Sequence, residues 1–109
     1  MLNPTIPREV RISDQAARDL AGVLQWLRAT ASEERARGTL KTISLAIKNL
    51  SFTPLASPLR PETGARERIV GHHTIVYDVE AGGNLGPSAG HVNVLGIVGP
   101  FLGEKPEAI

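Results

Sequence analysis

Arg66 and Arg68 lie two positions apart in a β-rich segment and are the first candidates for a binding site. Successive side chains on a strand point to opposite faces, so the two guanidinium groups share one face. Guanidinium groups hold carboxylate or phosphate oxygens through paired hydrogen bonds. The alternative is a solvated strand face on which the arginine stems cover apolar surface. Both interpretations stay open, and we take Arg66 and Arg68 as candidate target-binding residues.

His72 and His73 are the residues that suggest a metal site. Neighbouring side chains on a strand diverge, so this pair is poorly placed to share one ion. The chain has no cysteine, and His91 is its one further histidine. We therefore predict no metal site. We place Gly71 and His72 at a turn, where both neighbouring rings are expected to be exposed.

Two other chemical patterns fail on their mechanism. The serine, histidine and aspartate residues lack a nucleophile-elbow glycine pattern. The glycines of segment 82–90 lack the Gly-Lys-Ser/Thr ending of a phosphate loop, and no helix follows them. The sequence therefore predicts no catalytic residue of these types and no cofactor. Segment 82–90 is long for a hairpin loop and is interpreted as a mobile insertion or a binding loop.

The elements that position these residues follow from hydrophobic periodicity. Alternation around Arg11 predicts a short strand, and Ser13 is a good N-cap for a helix from about Asp14 to Arg28. A Thr with a Glu three residues later, in segment 30–33, has the capping-box form and predicts the start of a second helix. Its apolar stripe consists of Ala36, Leu40, Ile43, Ile47 and Leu50.

Three β-rich segments follow the two helices. Three prolines in segment 51–64 indicate a crossing loop. The segments around Arg66, Tyr77 and 92–98 then predict a three-strand antiparallel meander, with Tyr77 in the core and its hydroxyl hydrogen-bonded to one partner. The predicted fold is α+β, ordered β-α-α-β-β-β, with an antiparallel αα-hairpin packed on one face of the sheet.

Length and composition indicate one domain over residues 1–109, with a core at about 8–99, an N-terminal arm at 1–7 and a C-terminal tail at 100–109. The chain is 41% hydrophobic and only 4% aromatic, so its core must be aliphatic. No apolar run approaches the ~20 residues that span a bilayer, and no signal peptide is visible. We therefore expect a cytoplasmic protein without a membrane partner.

Charge is distributed unevenly between the two halves of the chain. Residues 1–50 carry eight Lys or Arg and five Asp or Glu, a net charge of +3, whereas residues 51–109 carry four and six, a net charge of −2. Binding to a phosphate backbone usually needs a concentrated basic face. The meander half does not supply one, so we expect no direct sequence-specific binding to nucleic acid.

The ordered combination of these segments resembles the RelE/ParE superfamily of toxins from bacterial type II toxin-antitoxin modules. The segments that carry the resemblance are Val10–Ser13, Ala16–Leu20, Ile47–Leu50, Ile75–Val79 and Val92–Val98, with Arg66 at the start of the meander. In this superfamily, RelE-like members cleave mRNA on the ribosome without a metal. They use basic residues of the sheet and a C-terminal tyrosine. ParE-like members poison DNA gyrase.

This chain departs from the ribonuclease branch at three positions. Ile69, Phe101 and Glu107 stand where the resemblance would place an arginine, a basic cluster and the tyrosine. Arg66 matches the arginine of ParE-like chains, whereas His73 stands where a tyrosine is common. The first interpretation is a non-enzymatic, ParE-like gyrase inhibitor. The alternatives are a ribosome-dependent mRNA endoribonuclease that uses other groups, and a degenerate member that only binds antitoxin.

The resemblance also implies a protein partner. Toxins of this superfamily are wrapped by an extended antitoxin tail, which neutralises them and gives a toxin-antitoxin hetero-oligomer. We assign the antitoxin contact to apolar residues of the first helix. These residues are Leu20, Val23, Trp26 and Leu27.

Overall fold

The computed structural model describes residues 8–82 and 90–99. The elements, in chain order, are β1 (Val10–Ile12), α1 (Asp14–Thr30), α2 (Glu33–Asn49), β2 (Leu59–Arg60), β3 (Ala65–Val70), β4 (His73–Val79) and β5 (Val92–Val98). The predicted arm at 1–7, the tail at 100–109 and most of segment 82–90 lie outside the described residues. Neither helix in the described part of the chain has the length and apolar character needed to cross a membrane.

Helix α1 begins where the sequence predicts. The Ser13 hydroxyl accepts a hydrogen bond from the backbone N–H of Ala16 at 3.0 Å, and Asp14 lies in the positively polarised first turn. The helix continues to Thr30, two residues beyond the predicted end. There the Thr30 hydroxyl donates to the carbonyl of Trp26 at 2.7 Å.

The start predicted for α2 is wrong by two residues. Ser32, not Thr30, is the N-cap, because its hydroxyl accepts from the N–H of Arg35 at 3.0 Å. Glu33 therefore lies in the first turn and forms an ion pair with Arg28 at 2.6 Å. This contact, with a weaker one from Arg37, lowers the pKa of the Glu33 carboxyl. Thr30 does not cap α2, because it is still part of α1 and its hydroxyl bonds to a carbonyl of that helix.

The five strands form one mixed sheet in the order β1-β5-β4-β3-β2. Strand β1 runs parallel to β5, and the other neighbouring pairs are antiparallel. Strands β3 and β4 pair from Arg66 opposite Tyr77 to Val70 opposite His73. Gly71 makes the turn between them with φ 61, a conformation that glycine adopts without steric cost. The predicted α+β fold, with two helices and a meander, is confirmed.

We predicted that segment 51–64 is a loop without regular structure, but it also contains a short strand. Leu59 and Arg60 form the edge strand β2 and pair with Arg66 and Ala65. Prolines adjoin both ends of this two-residue strand, and proline is tolerated at sheet edges because an edge strand leaves some N–H groups unpaired. A pair of residues is too short to show strand periodicity, so the sequence offered no signal for it.

The core lies between the helices and one face of the sheet and is aliphatic, as predicted. Its fully buried side chains from the helices, the C-cap of α2 and the strands are Ala16, Val23, Ala36, Ile43, Leu50, Ile75, Tyr77, Val92, Val94 and Ile97. Tyr77 is the one aromatic residue among them, and its hydroxyl donates to the carbonyl of Pro54 at 2.8 Å. The prediction of a core tyrosine with one hydrogen-bond partner is confirmed.

An irregularity in β5 fastens α1 to the sheet. The register against β4 shifts so that Leu95 is the extra residue between the positions paired with Tyr77 and Val76. The backbone N–H of Ile97 donates to the buried carboxylate of Asp19 at 2.9 Å, and the Ser13 hydroxyl donates to the carbonyl of Leu95 at 3.1 Å. Helix α1 therefore supplies hydrogen-bond partners that β4 does not provide at the bulge.

Candidate functional site

The face of the sheet opposite the helices presents an aliphatic surface to solvent. Ile69, Leu95 and Val98 expose 75%, 38% and 48% of their surface. Thr74 lies between Ile69 and Val98 in the strand register, and Val76 lies in the next row of β4. We call these five residues the open-face patch. Its side chains bring no acid, base or nucleophile other than one threonine hydroxyl.

Carboxylates flank the open-face patch but are engaged with neighbouring side chains. The amide of Asn93 donates to Asp78 and to Glu80, each at 3.0 Å. Glu67 accepts from Arg60 at 2.9 Å. Such partly exposed contacts stabilise the fold only slightly. Each of them engages one oxygen of its carboxylate.

Arg66 and Arg68 share a face of β3, as predicted. They lie opposite Tyr77 and Ile75, both fully buried against the helices, so the arginines are on the helix side of the sheet near its edge. Both side chains are half-buried. The predicted pair is therefore brought to one face, and that face is the opposite one from the open-face patch.

The two arginines have different surroundings. The Nη1 group of Arg66 donates to the carbonyl of Ser57 at 2.7 Å and to that of Leu55 at 3.5 Å. Arg66 thus fastens the loop that precedes β2. The buried Nε of Arg68 has no hydrogen-bond partner among the described residues. Of the two predicted target-binding residues, Arg68 has the less committed guanidinium group.

A pocket of about 790 Å³ lies between the α1–α2 connection and the β3–β4 turn. We call it the hairpin-end pocket. Its apolar wall includes Trp26, Leu27, Ile43 and Val70, and its polar lining includes Arg35, His72, His73 and three threonines. The described lining contains Arg35 and no Asp or Glu, so the pocket combines a positive charge with apolar side chains.

His73 corrects the prediction that both turn histidines are exposed. Its side chain is buried at the start of β4, whereas His72 is exposed in the turn. Burial, and secondarily the nearby His72, lower the pKa of His73 below its ordinary value. The ring also packs against Gly99, where an added Cβ would overlap it. His73 is thus a packed residue of the fold that also lines the hairpin-end pocket.

The four residues assigned to antitoxin contact divide between core and surface. Val23 is fully buried and Leu27 is nearly so, because both pack against the sheet. Leu20 and Trp26 are only partly buried and keep accessible surface. The helical stripe in the sequence is chiefly the stripe that packs the core.

Sequence reasoning missed an exposed apolar group around the end of α2 and the following loop. Its members are Leu45, Phe52, Leu55 and Leu59, each about half exposed. Leu45 lies off the apolar stripe of α2, and this offset was the one available sequence signal. Within residues 8–82 and 90–99, no three His, Asp or Glu side chains converge as metal ligands would. Phe101 and Glu107 lie outside the described residues.

Comparison with known proteins adds a family and two similar folds. Residues 10–85 match the model of the family described as the ParE toxin of the type II toxin-antitoxin system, parDE. A chain from the chromosomal ParDE toxin-antitoxin system of P. aeruginosa is 18% identical with a TM-score of 0.68, covering 84% of this chain and 95% of that one. No curated protein matches the sequence.

A second solved structure is the RelBE2 toxin-antitoxin complex from Mycobacterium tuberculosis. One of its chains is 20% identical with a TM-score of 0.59, covering 92% of this chain and 99% of that one. At such identities, both likenesses concern the fold alone. The family match covers more than half of the chain, from β1 through β4.

Proposed function

Because the chain belongs to the ParE toxin family of type II toxin-antitoxin systems, we propose that it arrests growth by inhibiting DNA gyrase and is neutralised by a cognate antitoxin. The observation that carries this proposal is the family match over residues 10–85, which includes both helices and the β3–β4 hairpin. Action on gyrase places the protein in the cytoplasm. The proposed inhibition is by binding, without cleavage of a substrate by the toxin.

The open-face patch supports a binding mechanism over RNA cleavage. General acid-base catalysis needs a titratable group within hydrogen-bond reach of the reacting oxygen. Ile69, 75% exposed, occupies the position at which the RelE-like resemblance would place an arginine. Thr74, which pairs with Ile69, and Val98, which pairs with Thr74, are equally unsuited to proton transfer. The alternative of an mRNA endoribonuclease therefore has no acid-base pair on this surface.

We assign different tasks to the two arginines of β3. Arg66 holds the loop before β2 through the carbonyls of Ser57 and Leu55. Arg68 has a guanidinium group less committed within the chain and remains charged at physiological pH. It is therefore the better candidate for a contact with an acidic group of the target.

The antitoxin part of the proposal rests on the similar structures. Both are described as toxin-antitoxin systems or complexes. Of the residues assigned to this contact, Leu20 and Trp26 have accessible surface in the described chain. An antitoxin that covers them would bury apolar area and stabilise the toxin by mass action.

Controlled expression in bacterial cells tests the proposed target. We expect growth arrest with a DNA damage response and gyrase-linked DNA breaks, while total mRNA stays intact. Co-expression of the short reading frame beside the toxin gene should restore growth if that frame encodes the antitoxin. Abrupt loss of mRNA, with cuts positioned by ribosomes and no DNA breaks, would assign the chain to the ribonuclease mechanism instead.

A further inference from the structure

We infer that the hairpin-end pocket is a docking site for an acidic segment of the antitoxin, with a carboxylate on Arg35 and an apolar side chain against Trp26. The inference rests on the proposed function in so far as the partner is the antitoxin. It narrows the assignment to α1, because Trp26 and Leu27 line this pocket whereas Leu20 and Val23 do not, and it adds Arg35 and the β3–β4 turn to the contact.

Charge complementarity selects the acidic occupant. Near the start of α2, Arg28 and Arg37 are both paired with Glu33. Arg35 lines the pocket, and its guanidinium makes no ion pair or hydrogen bond with the described residues, since only its backbone N–H is engaged, by Ser32. With no carboxylate in the described lining, the planar guanidinium group is available to hold one bidentately.

The apolar wall selects the second feature of the occupant. Of the apolar residues that line the pocket, Trp26 and Val70 are partly exposed, whereas Leu27 and Ile43 are buried. A volume of about 790 Å³ falls within the range in which pockets enclose ligand groups. Release of water from such a surface favours an aliphatic or aromatic side chain. An acidic residue beside an apolar anchor matches both parts of the pocket.

The hydroxyl groups of the pocket argue against a highly polar small molecule. The Thr30 hydroxyl donates to the carbonyl of Trp26 at 2.7 Å, and the Thr42 hydroxyl donates to that of Gly38 at 3.0 Å. Two of the three threonine side chains in the lining are thus engaged within their own helices. The lining offers the charged guanidinium group of Arg35 and several apolar side chains, and this combination suits a peptide segment with one acidic and one apolar side chain.

Two substitutions test the pocket, one by changing its charge and one by filling part of its volume. Arg35→Glu reverses its charge, and Lys41→Glu makes the same charge change on α2 outside the lining. Gly38→Leu introduces a side chain at the pocket wall, where a Cβ meets no atom within 4 Å, and removes a helix-interior glycine. Ser44→Leu, at an exposed position of the same helix, is its matched control.

The experiment measures binding of the purified antitoxin to each toxin variant by calorimetry. Trp26 is the single tryptophan of the chain, so its fluorescence reports on the pocket when the antitoxin used has no tryptophan. We expect Arg35→Glu and Gly38→Leu to weaken binding by about tenfold or more, and both controls to stay within about twofold. On binding to the wild type, Trp26 emission should shift to shorter wavelength.

Two negative outcomes are distinguishable. If the antitoxin binds the wild type, the pocket variants bind as their controls do and Trp26 emission does not change, the docking site is elsewhere and the inference is wrong. The proposed neutralisation by an antitoxin then still stands. If the wild type binds no antitoxin at all, that part of the proposed function fails and the inference falls with it. Circular dichroism and urea unfolding identify any variant that has lost its fold.

Discussion

Asp19 and His73 are buried polar side chains whose roles follow from their immediate neighbours. Asp19 accepts the N–H of Ile97 at the bulge of β5 and a second hydrogen bond from Gln15 at 2.8 Å. His73 packs its ring on Gly99. Asp19 thus joins α1, and His73 joins the start of β4, to the end of β5. One substitution tests each contact.

We expect Asp19→Ala to lower the free energy of unfolding by about 1–3 kcal/mol. The substitution leaves the N–H of Ile97 buried without a partner, and an unsatisfied buried donor costs about that much. Gln15→Ala is the matched control, because it removes only the second contact to the same carboxylate. Urea unfolding measures both. Equal stability of Asp19→Ala and wild type would show that the carboxylate does not stabilise the bulge.

The lowered pKa of His73 predicts a pH-dependent stability. The unfolded chain, with an ordinary histidine pKa near 6.5, binds the proton more readily than the folded chain does. Neutral His73 therefore causes no loss of stability above about pH 6.5. As the pH drops below about 6.5 toward the lower pKa of the folded state, the unfolded chain takes up the proton first and the free energy of unfolding falls. His73→Phe keeps a buried ring without the titration, so it should lose less stability than wild type between about pH 7.5 and pH 5.5.

Urea midpoints at the two pH values test this dependence. His72→Gln serves as the control, since His72 is exposed and only the secondary cause of the lowered pKa. It should keep most of the wild-type response. A His73→Phe protein with the same loss of stability as wild type would assign the acid sensitivity to other groups.

Among the elements, the helical hairpin shows how a short connection is divided between two helices. Ala31 caps the end of α1, where the Thr30 hydroxyl also donates to the carbonyl of Trp26, and Ser32 starts α2 by accepting from the N–H of Arg35. We expect Ser32→Ala to destabilise the protein by about 1 kcal/mol, the usual cost of losing an N-cap. Thr30→Ala should cost less. Thermal or urea unfolding of both variants measures the two losses of stability. A larger loss for Thr30→Ala than for Ser32→Ala would show that Thr30, as in the predicted capping box, is the residue that caps α2.

The loop between α2 and β2 is fastened from two adjacent strands. The Tyr77 hydroxyl of β4 donates to the carbonyl of Pro54, and Arg66 of β3 donates to that of Ser57. These contacts satisfy carbonyls in a segment that has little regular structure. A change at Arg66 therefore alters the loop as well as any contact with a target. For this reason Arg68 is the cleaner probe of target binding.

For the molecule as a whole, we expect Arg68→Ala to reduce toxicity strongly while the protein stays folded. Removing one partner of a charge-assisted contact costs roughly 2–5 kcal/mol of binding when the other charge is left buried and unpaired. Arg60→Ala is the control, because Arg60 is exposed and already paired with Glu67. Growth arrest and gyrase-linked DNA breaks measure the effect, with circular dichroism for folding. A folded Arg68→Ala that remains fully toxic would move the target-binding surface to another part of the molecule.

The sequence by itself determined the order of the main elements and the face that each presents. Period-2 alternation and helical spacing are local properties, so the side shared by Arg66 and Arg68, the core position of Tyr77 and the N-cap at Ser13 could all be predicted. The resemblance carried by these segments also identified the superfamily that the match over residues 10–85 confirms.

Only the tertiary structure decided which residues meet across the chain. The parallel pairing of β1 with β5, the edge strand β2 and the anchoring of Ile97 by Asp19 all join distant segments. The burial of His73 and the hairpin-end pocket depend in the same way on how the helices lie on the sheet. Local periodicity states which face of an element is apolar, but it carries no information on which element covers that face.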